Sequence, residues 1–349
     1  MKLIIQIPCF NEQGQLPLTL SGLPRQVDGF DEVQWLVIDD GSTDRTLEVA
    51  RSHGVDHIVR LTNHKGLAAA FQAGLDAGLK LGADVIVNTD ADNQYDGADV
   101  PRLVAPILRG AADMVVGDRQ GQGIEEFSAG KRALQRVGSW VVRQASATHL
   151  PDATSGFRAY NREAALQVQA VSRFTYTLET TIQAGKLMVA MEHVPVRTNP
   201  RTRESRLFPS SAAYVRRNAL SIFRIYSQYQ PLKVFWGGAL IMGLCAFALF
   251  IRFIVIFVQD PSTAGRGHVQ SLIAGAVLFI GAMLLGALGV IGDLLDAQRT
   301  ISQRTFERVR RIELELGVEP SHYEPGSRIP QTVGPRENGA APERRVLEL

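Results

Sequence analysis

Asp90 and Asp92 stand one residue apart in the tetrad Thr89-Asp90-Ala91-Asp92, directly after the apolar run Val85-Ile86-Val87-Asn88. Two carboxylates leaving a strand together can converge on one hard cation such as Mg²⁺ or Mn²⁺, and a cation held there can neutralise a diphosphate. An isolated Asp-x-Asp also occurs in turns, where each carboxylate bonds its own backbone. Here two further polar exits accompany it. Lys2-Leu3-Ile4-Ile5-Gln6-Ile7 stops at Pro8 and opens into Cys9-Phe10-Asn11-Glu12. Val33-Gln34-Trp35-Leu36-Val37-Ile38 stops at Asp39-Asp40-Gly41-Ser42-Thr43-Asp44.

The elements that must position these residues alternate. Apolar runs at 2–7, 33–38, 57–61, 83–88 and 113–117 read as strands, with helical patterns near 44–53, 66–81 and 98–109 between them. Such alternation predicts a mainly parallel sheet covered by helices on both faces, with its ligand at the carboxyl ends of the strands. One of Ser42, Thr43 and Asp44 is explained as a helix N-cap, but Asp39 and Asp40 are not. No G-x-G-x-x-G follows the first strand, which argues against an ordinary dinucleotide-binding enzyme.

Beyond residue 128 the character changes. Lys131, Arg132, Arg136 and Arg143 mark a basic helix, followed by the loop Asp152-Ala153-Thr154-Ser155-Gly156-Phe157-Arg158. This is either a solvated helix face with its turn or a site for a phosphate. Arginines from Arg197 to Arg224 then mix with Phe208, Tyr214, Phe223 and Tyr226, a composition suited to an anionic membrane surface. Val234–Ile251, extendable to Val258, and Val269–Gly292 are apolar enough and reach the ~20 residues that span a hydrocarbon core of about 30 Å. Basic residues flank the outer ends of both runs. The loop between them carries only Arg266 and His268, so both chain termini are expected in the cytoplasm. The pairs Ala239/Gly243 and Ala282/Gly286 suit close packing of the two helices on each other or on a second protomer.

With 349 residues and a net charge of +2, the chain accommodates one large domain plus an appendage, and its charge gives no reason to propose nucleic acid. Cys9 and Cys245 differ in setting and are not expected to pair. The few apolar residues before Asn11 are too short for a signal peptide. From residue 320 onward a Pro-, Gly-, Arg- and Glu-rich tail lacks apolar periodicity and is expected to be disordered.

In this order, Pro8-Cys9-Phe10-Asn11-Glu12, Asp39-Asp40-Gly41-Ser42-Thr43-Asp44, Asn63-His64-Lys65-Gly66, Asp90-Ala91-Asp92-Asn93-Gln94 and Ser155-Gly156-Phe157-Arg158 resemble the family 2 glycosyltransferases of the GT-A fold. The resemblance is strongest to the polyprenyl-phosphate branch, typified by dolichyl-phosphate mannosyltransferases and bactoprenol glucosyltransferases. It implies a GT-A, Rossmann-like catalytic domain at 1–205 and a basic interfacial segment at 206–231. Membrane helices at 232–258 and 269–293, joined by a loop at 259–268, would precede a cytoplasmic helix at 294–319 and the tail at 320–349.

The resemblance implies an NDP-sugar donor bound by Pro8, Phe10, Asn11, Glu12, Asp39, Asp40 and Asp90. Mg²⁺ or Mn²⁺ would sit on Asp90 and Asp92 with Gln94, and Arg119 would hold a diphosphate oxygen. The acceptor would be a polyprenyl phosphate gripped by Arg132, Ser155, Arg158 and Arg201. A lipid monophosphate is largely dianionic near neutral pH, so it needs surrounding positive charge rather than a general base. Its direct attack would invert the anomeric centre. The sequence Arg201-Thr202-Arg203-Glu204-Ser205-Arg206 lacks the glycine that mannosyltransferase relatives commonly carry two residues before the serine. Three other readings compete. A hydroxyl-acceptor transferase would need a base near C1 and, if processive, usually a Gln-x-x-Arg-Trp motif, which is absent. A nucleotidyltransferase would share the sheet and the metal pair. A catalytically silent membrane scaffold would have no need of Asp90 and Asp92.

Overall fold

Lys2–Cys9 (β1) lies at the centre of the fold because its alternate residues are apolar on both sides of the pleat. Leu3, Ile5, Ile7 and Cys9 join one core cluster, and Ile4 joins the other. The computed structural model describes residues 1–120, 150–170, 176–200, 223–224, 226–259 and 269–326. In chain order these form β1, α1 (Leu16–Gly22), β2 (Glu32–Asp39), α2 (Thr46–Ser52), β3 (His57–Arg60), α3 (Leu67–Lys80), β4 (Val85–Asn88) and α4 (Val100–Leu108). They continue with β5 (Met114–Asp118), β6 (Arg158–Asn161), α5 (Arg162–Gln167), α6 (Tyr176–Lys186), β7 (Met191–Pro195), α7 (Pro231–Gln259), α8 (Val269–Glu315) and β8 (Tyr323–Pro325).

The sheet order is β7-β5-β6-β4-β1-β2-β3-β8. β1 to β4 pair in parallel, as do β5 and β7, whereas β6 runs antiparallel to both β4 and β5. The carboxyl ends of β1, β2, β4 and β5 therefore share one edge. The reversal at β6 brings the amino end of that strand, Arg158, to the same edge opposite Asn88. Leu16 and Leu20 of α1, Ala50 of α2 and Val100, Leu103 and Val104 of α4 cover one face. Phe71, Leu75 and Leu79 of α3, Ala164 and Ala165 of α5 and Ala184 of α6 cover the other. The expected α/β sheet with helices on both faces is thus present, with β6 as an antiparallel insertion.

α7 and α8 are long enough and apolar enough to cross a membrane. They pack antiparallel, because a Cβ added to Gly275, Gly281 or Gly289 would meet Phe250, Met242 or Trp236 in turn. A Cβ on Gly243 would lie 4.0 Å from the Cβ of Ala282, and one on Gly286 would meet no described residue within 4 Å, so the contact joins one member of each small-residue pair. Leu240, Ile241, Leu244, Ile280, Met283 and Leu284 point away from protein. That outward apolar surface is suited to lipid.

Two features at the carboxyl end depart from the sequence reading. The helices expected at 269–293 and 294–319 form one continuous α8 from Val269 to Glu315. Its second half docks on the α/β domain. Arg310 is buried and donates to the carbonyls of Ala165 and Leu166 at 2.9 and 3.1 Å, and Arg311 pairs with Glu163. The disordered tail expected from residue 320 is corrected over Tyr323–Pro325, which extends the sheet as an antiparallel edge strand on β3. The Tyr323 hydroxyl meets His57 Nδ1 at 3.0 Å, and Glu324 pairs with Arg51 at 2.6 Å. A three-residue strand has too few residues to show alternation, which is why the pattern was silent.

Arg310→Ala leaves two buried carbonyls without their donor. A loss of about 2–3 kcal/mol is expected, read as a lower urea midpoint of the detergent-solubilised chain; an unchanged midpoint would mean that the docked half of α8 adds nothing to stability.

Candidate active site

Three polar loops meet where β1, β2 and β4 end. Asn11, held at a φ of 54°, accepts from the Thr43 amide at 2.8 Å through its side chain, and its own amide donates to Ser42 Oγ at 2.9 Å. The Glu12 amide donates to Thr46 Oγ1 at 2.9 Å. These bonds lace the β1 and β2 exits into one wall. Asp44 Oδ1 accepts from the Thr46 amide at 3.0 Å, while the N-cap residue of α2, Arg45, makes no side-chain cap bond.

The two carboxylates ending β2 have different tasks. Asp40 accepts from the amides of Lys65 and Gly66 at 2.7 and 2.8 Å and faces His64 Nδ1 at 2.8 Å, which ties the loop before α3 to β2. Asp39 is fully buried and accepts from the Ser42 amide at 3.1 Å, while its second oxygen has no partner among the described residues. A buried acceptor left open is costly unless a ligand completes it. Of the two, Asp39 rather than Asp40 keeps an oxygen without a partner among the described residues. Pro8 is buried in β1. Phe10 is partly exposed and stacks on the His64 ring at 3.9 Å, presenting an aromatic face at the rim.

Asp90 and Asp92 leave β4 into this wall. Burial, then the neighbouring Asp92 charge, pushes the Asp90 carboxyl up to about 7, against the opposing pull of Arg119 and Arg158. Asp92 accepts from the Gln94 amide at 3.1 Å, and Asn93 adopts a φ of 58° to turn the loop. The loop is pinned from behind by Asn199, whose side-chain amide donates to the Asn93 carbonyl at 3.0 Å and whose backbone amide donates to that of Gln94 at 2.9 Å. Among the described residues no three His, Cys, Asp or Glu side chains gather as a ready cation cage. The donor set still fits a divalent cation. Two carboxylates that repel each other in a poorly hydrated place are what a cation relieves, and hard cations routinely take their remaining oxygens from substrate phosphate and water.

The loop before β6 closes the other side. Arg119 makes a two-pronged pair with Asp152 at 2.7 and 3.0 Å and donates to Thr154 Oγ1 at 2.8 Å. Burial alone would raise Asp152, but the Arg119 hydrogen bond and charge hold it below the usual carboxylate range. Ser155 and Arg158, expected to grip a lipid phosphate, are both fully buried. Arg158 donates to the carbonyls of Ser155 and Ala153, each at 2.7 Å, and to Thr180 Oγ1 at 2.9 Å. Its guanidinium thus shapes the 153–158 backbone from inside and offers no face to a lipid. Arg132 and Arg201 lie outside the described residues.

A polar chain beneath the site was not singled out in the sequence. Gln6 donates to Asn88 at 2.8 Å, and Asn88 donates to the Gly156 carbonyl at 2.7 Å and to the Tyr176 hydroxyl at 3.2 Å. The Gly156 amide donates to the Tyr95 hydroxyl at 2.9 Å, and Tyr95 stacks on Phe157 at 5.1 Å. Gln6 and Asn88 are polar residues inside otherwise apolar strands, and that was the signal available.

The glycosyl transferase family 2 profile matches residues 4–168. The undecaprenyl-phosphate mannosyltransferase of Micrococcus luteus is 30% identical over 206 residues, covering 56% of this chain and 83% of that one. The undecaprenyl-phosphate 4-deoxy-4-formamido-L-arabinose transferase of Photorhabdus laumondii is 24% identical over 304 residues, covering 84% and 88%. Among solved structures, the Mycobacterium tuberculosis glucosyl-3-phosphoglycerate synthase in complex with Mn²⁺, UDP and glucosyl-3-phosphoglycerate aligns with a TM-score of 0.47 and 22% identity, over 63% of this chain and 79% of that one. The chain belongs to glycosyl transferase family 2. It is a glycosyltransferase.

Gly156 is required by the approach of the acidic pair, since a Cβ there would lie 2.8 and 2.9 Å from the Asp90 carboxylate oxygens and 2.9 Å from the Tyr176 hydroxyl. Gly156→Ala is expected to destabilise the chain by about 1–3 kcal/mol through overpacking and to weaken Mn²⁺ binding, read by thermal melting and by titration of the ion. Wild-type values for both would show that the loop has room to spare.

Proposed function

We propose that this chain transfers a hexose from a nucleoside-diphosphate sugar to a membrane polyprenyl phosphate, with a divalent cation and with inversion at the anomeric carbon. The observation that carries the reading is the Asp90–Asp92 pair at a buried strand end, with Asp90 pushed up to about 7. Asp90 and Asp92, with Gln94 beside them, would hold Mg²⁺ or Mn²⁺. The bound ion supplies charge neutralisation for the departing nucleotide.

The protein's own groups supply recognition. Asp39 offers its open oxygen to the nucleoside, with Pro8, Phe10, Asn11, Glu12 and Asp40 forming the surrounding wall. Arg119, fixed by Asp152 and Thr154, stands close enough to Asp90 to affect its ionisation and would bear on the diphosphate. Ser155 and Arg158 order the loop that frames the acceptor, and Arg132 and Arg201 would bring charge to its phosphate. The polyprenyl-phosphate names of the two sequence relatives support that acceptor. The helices α7 and α8 support it as well, because an acceptor buried in a bilayer calls for an enzyme held at its surface. In this reading they cross the inner or plasma membrane, with the catalytic domain and both termini in the cytoplasm.

The test is transfer of radiolabelled sugar from a panel of UDP- and GDP-sugars to undecaprenyl phosphate by the purified chain in detergent, with Mg²⁺ or Mn²⁺ and with EDTA. One donor should give an organic-extractable product that EDTA suppresses. Asp92→Ala should lower turnover by at least about 10²-fold, the scale of a lost electrostatic contact to the leaving group, with the melting temperature retained. Normal turnover by Asp92→Ala would overturn the cation assignment. Transfer only to a hydroxyl acceptor would overturn the lipid phosphate.

A further inference from the structure

A second polar cavity lies away from the strand ends, between the carboxyl end of α6, Tyr229 and the docked half of α8. Its volume is about 250 Å³, and its lining includes Lys186, Tyr229, Asp296, Arg299, Gln303 and Arg304. α6 connects the two places. Tyr176 at its start touches Asn88 beneath the active site, and Lys186 at its end lines the cavity. Ten residues of helix at about 1.5 Å each put them ~15 Å apart.

Positive charge exceeds negative charge here. Lys186 pairs with Asp296 at 2.5 Å, and Arg299 pairs with Glu179 at 2.7 Å behind the wall. Lys186 and Arg299 also lie over the Tyr229 ring at 5.0 and 4.5 Å, so one aromatic ring contacts two cations. Arg304 forms no ion pair among the described residues. Among the described residues Arg299 Nη1, Gln303 Nε2 and the Tyr229 hydroxyl are buried without a hydrogen-bond partner. Buried donors left open in a protein interior are costly, and one anion with several oxygens satisfies them together.

Position selects the source of that anion. A Cβ on Gly292 would lie 2.6 Å from Pro231, so the start of α7 and the end of the apolar run of α8 are level. Asp296 and Arg299 follow Gly292 by about 6–10 Å of helix at ~1.5 Å per residue. Headgroup layers add roughly 5–7 Å on each side of a ~30 Å hydrocarbon core, so Asp296 stands at headgroup depth and Arg299 at its water-side edge if α7 and α8 span the bilayer, on which this inference rests. Gln303 and Arg304 lie further toward water. Met188 is 90% exposed at the cavity rim, an apolar side chain beside a cationic one. A volume of about 250 Å³ would hold roughly eight waters at ~30 Å³ each, enough for a phosphate with part of its ester. We propose that this cavity binds the phosphate of an anionic membrane lipid, separately from the sugar-transfer site.

The test titrates the full-length chain in detergent with phosphatidylglycerol, phosphatidylcholine and inorganic phosphate, counting bound molecules by native mass spectrometry. Phosphatidylglycerol should bind at one per chain. Gln303→Leu and Arg304→Gln should each weaken it about tenfold, the change expected on losing one charge-assisted hydrogen bond. Arg299→Gln should weaken it further, but it also breaks the pair with Glu179, so the two milder variants, checked for wild-type melting, carry the decision. Displacement of phosphatidylglycerol by undecaprenyl phosphate with the same sensitivity to these variants would support the site with the acceptor lipid as occupant. Equal binding of phosphatidylcholine, wild-type affinity in both milder variants, or binding of inorganic phosphate alone would overturn the lipid assignment. Flotation of the chain with carbonate-washed vesicles tests the membrane reading separately.

Discussion

The structure turns on a repulsion, the one between Asp90 and Asp92 at the end of β4. Among the described residues neither carboxylate forms an ion pair, because Arg119 is taken by Asp152 and Arg158 by backbone carbonyls. Burial and mutual charge then leave Asp90 poised near neutral pH, where a solvated aspartate would be fully ionised. In the proposed function a bound cation relieves this pair, and the surrounding residues hold it in place. Gly156 leaves space for the Asp90 oxygens, Asn88 and Tyr95 fix the backbone of Gly156, and Asn199 clamps the loop that carries Asp92.

The same logic links the catalytic domain to the apolar helices. α8 carries its apolar run directly into a charged half that reaches the domain at Glu179, Lys186, Ala165 and Glu163. A continuous helix transmits orientation where a flexible linker would not. β8 adds a second attachment at the far edge of the sheet. Together these ties set the height of the strand ends relative to α7 and α8. In the proposed function the acceptor comes from a bilayer, and that height decides whether its phosphate can reach the sugar.

Some of this was legible in the sequence for a clear reason. Asp90, Asp92, Asp39 and Asp40 lie at local boundaries, where an apolar run meets acidic residues, and a boundary is readable from neighbours alone. The division of labour between Asp39 and Asp40 was not, because it depends on which amides of the 63–66 loop fold back, a contact across more than twenty residues. Arg158 shows the same limit: an arginine in a Ser-Gly-Phe-Arg loop reads as a phosphate ligand until its burial against Ser155, Ala153 and Thr180 is seen. Gln6, Tyr95 and Tyr176 act through partners 60 or more residues away. β8 and the docking of Arg310 are non-local pairings with no periodic signature.

The central claim is most directly tested by calorimetric titration of Mn²⁺ into the purified chain with UDP or GDP present, in two buffers of different ionisation enthalpy. With Asp90 pushed up to about 7, the ion-free chain carries part of a proton there, and binding must expel it. The account predicts release of about half a proton near pH 7, rising toward one as pH falls, vanishing near about pH 9, and weaker affinity on the acid side. Asp90→Asn should abolish the release. Absence of Mn²⁺ binding, or the same proton release from Asp90→Asn as from the wild type, would contradict it.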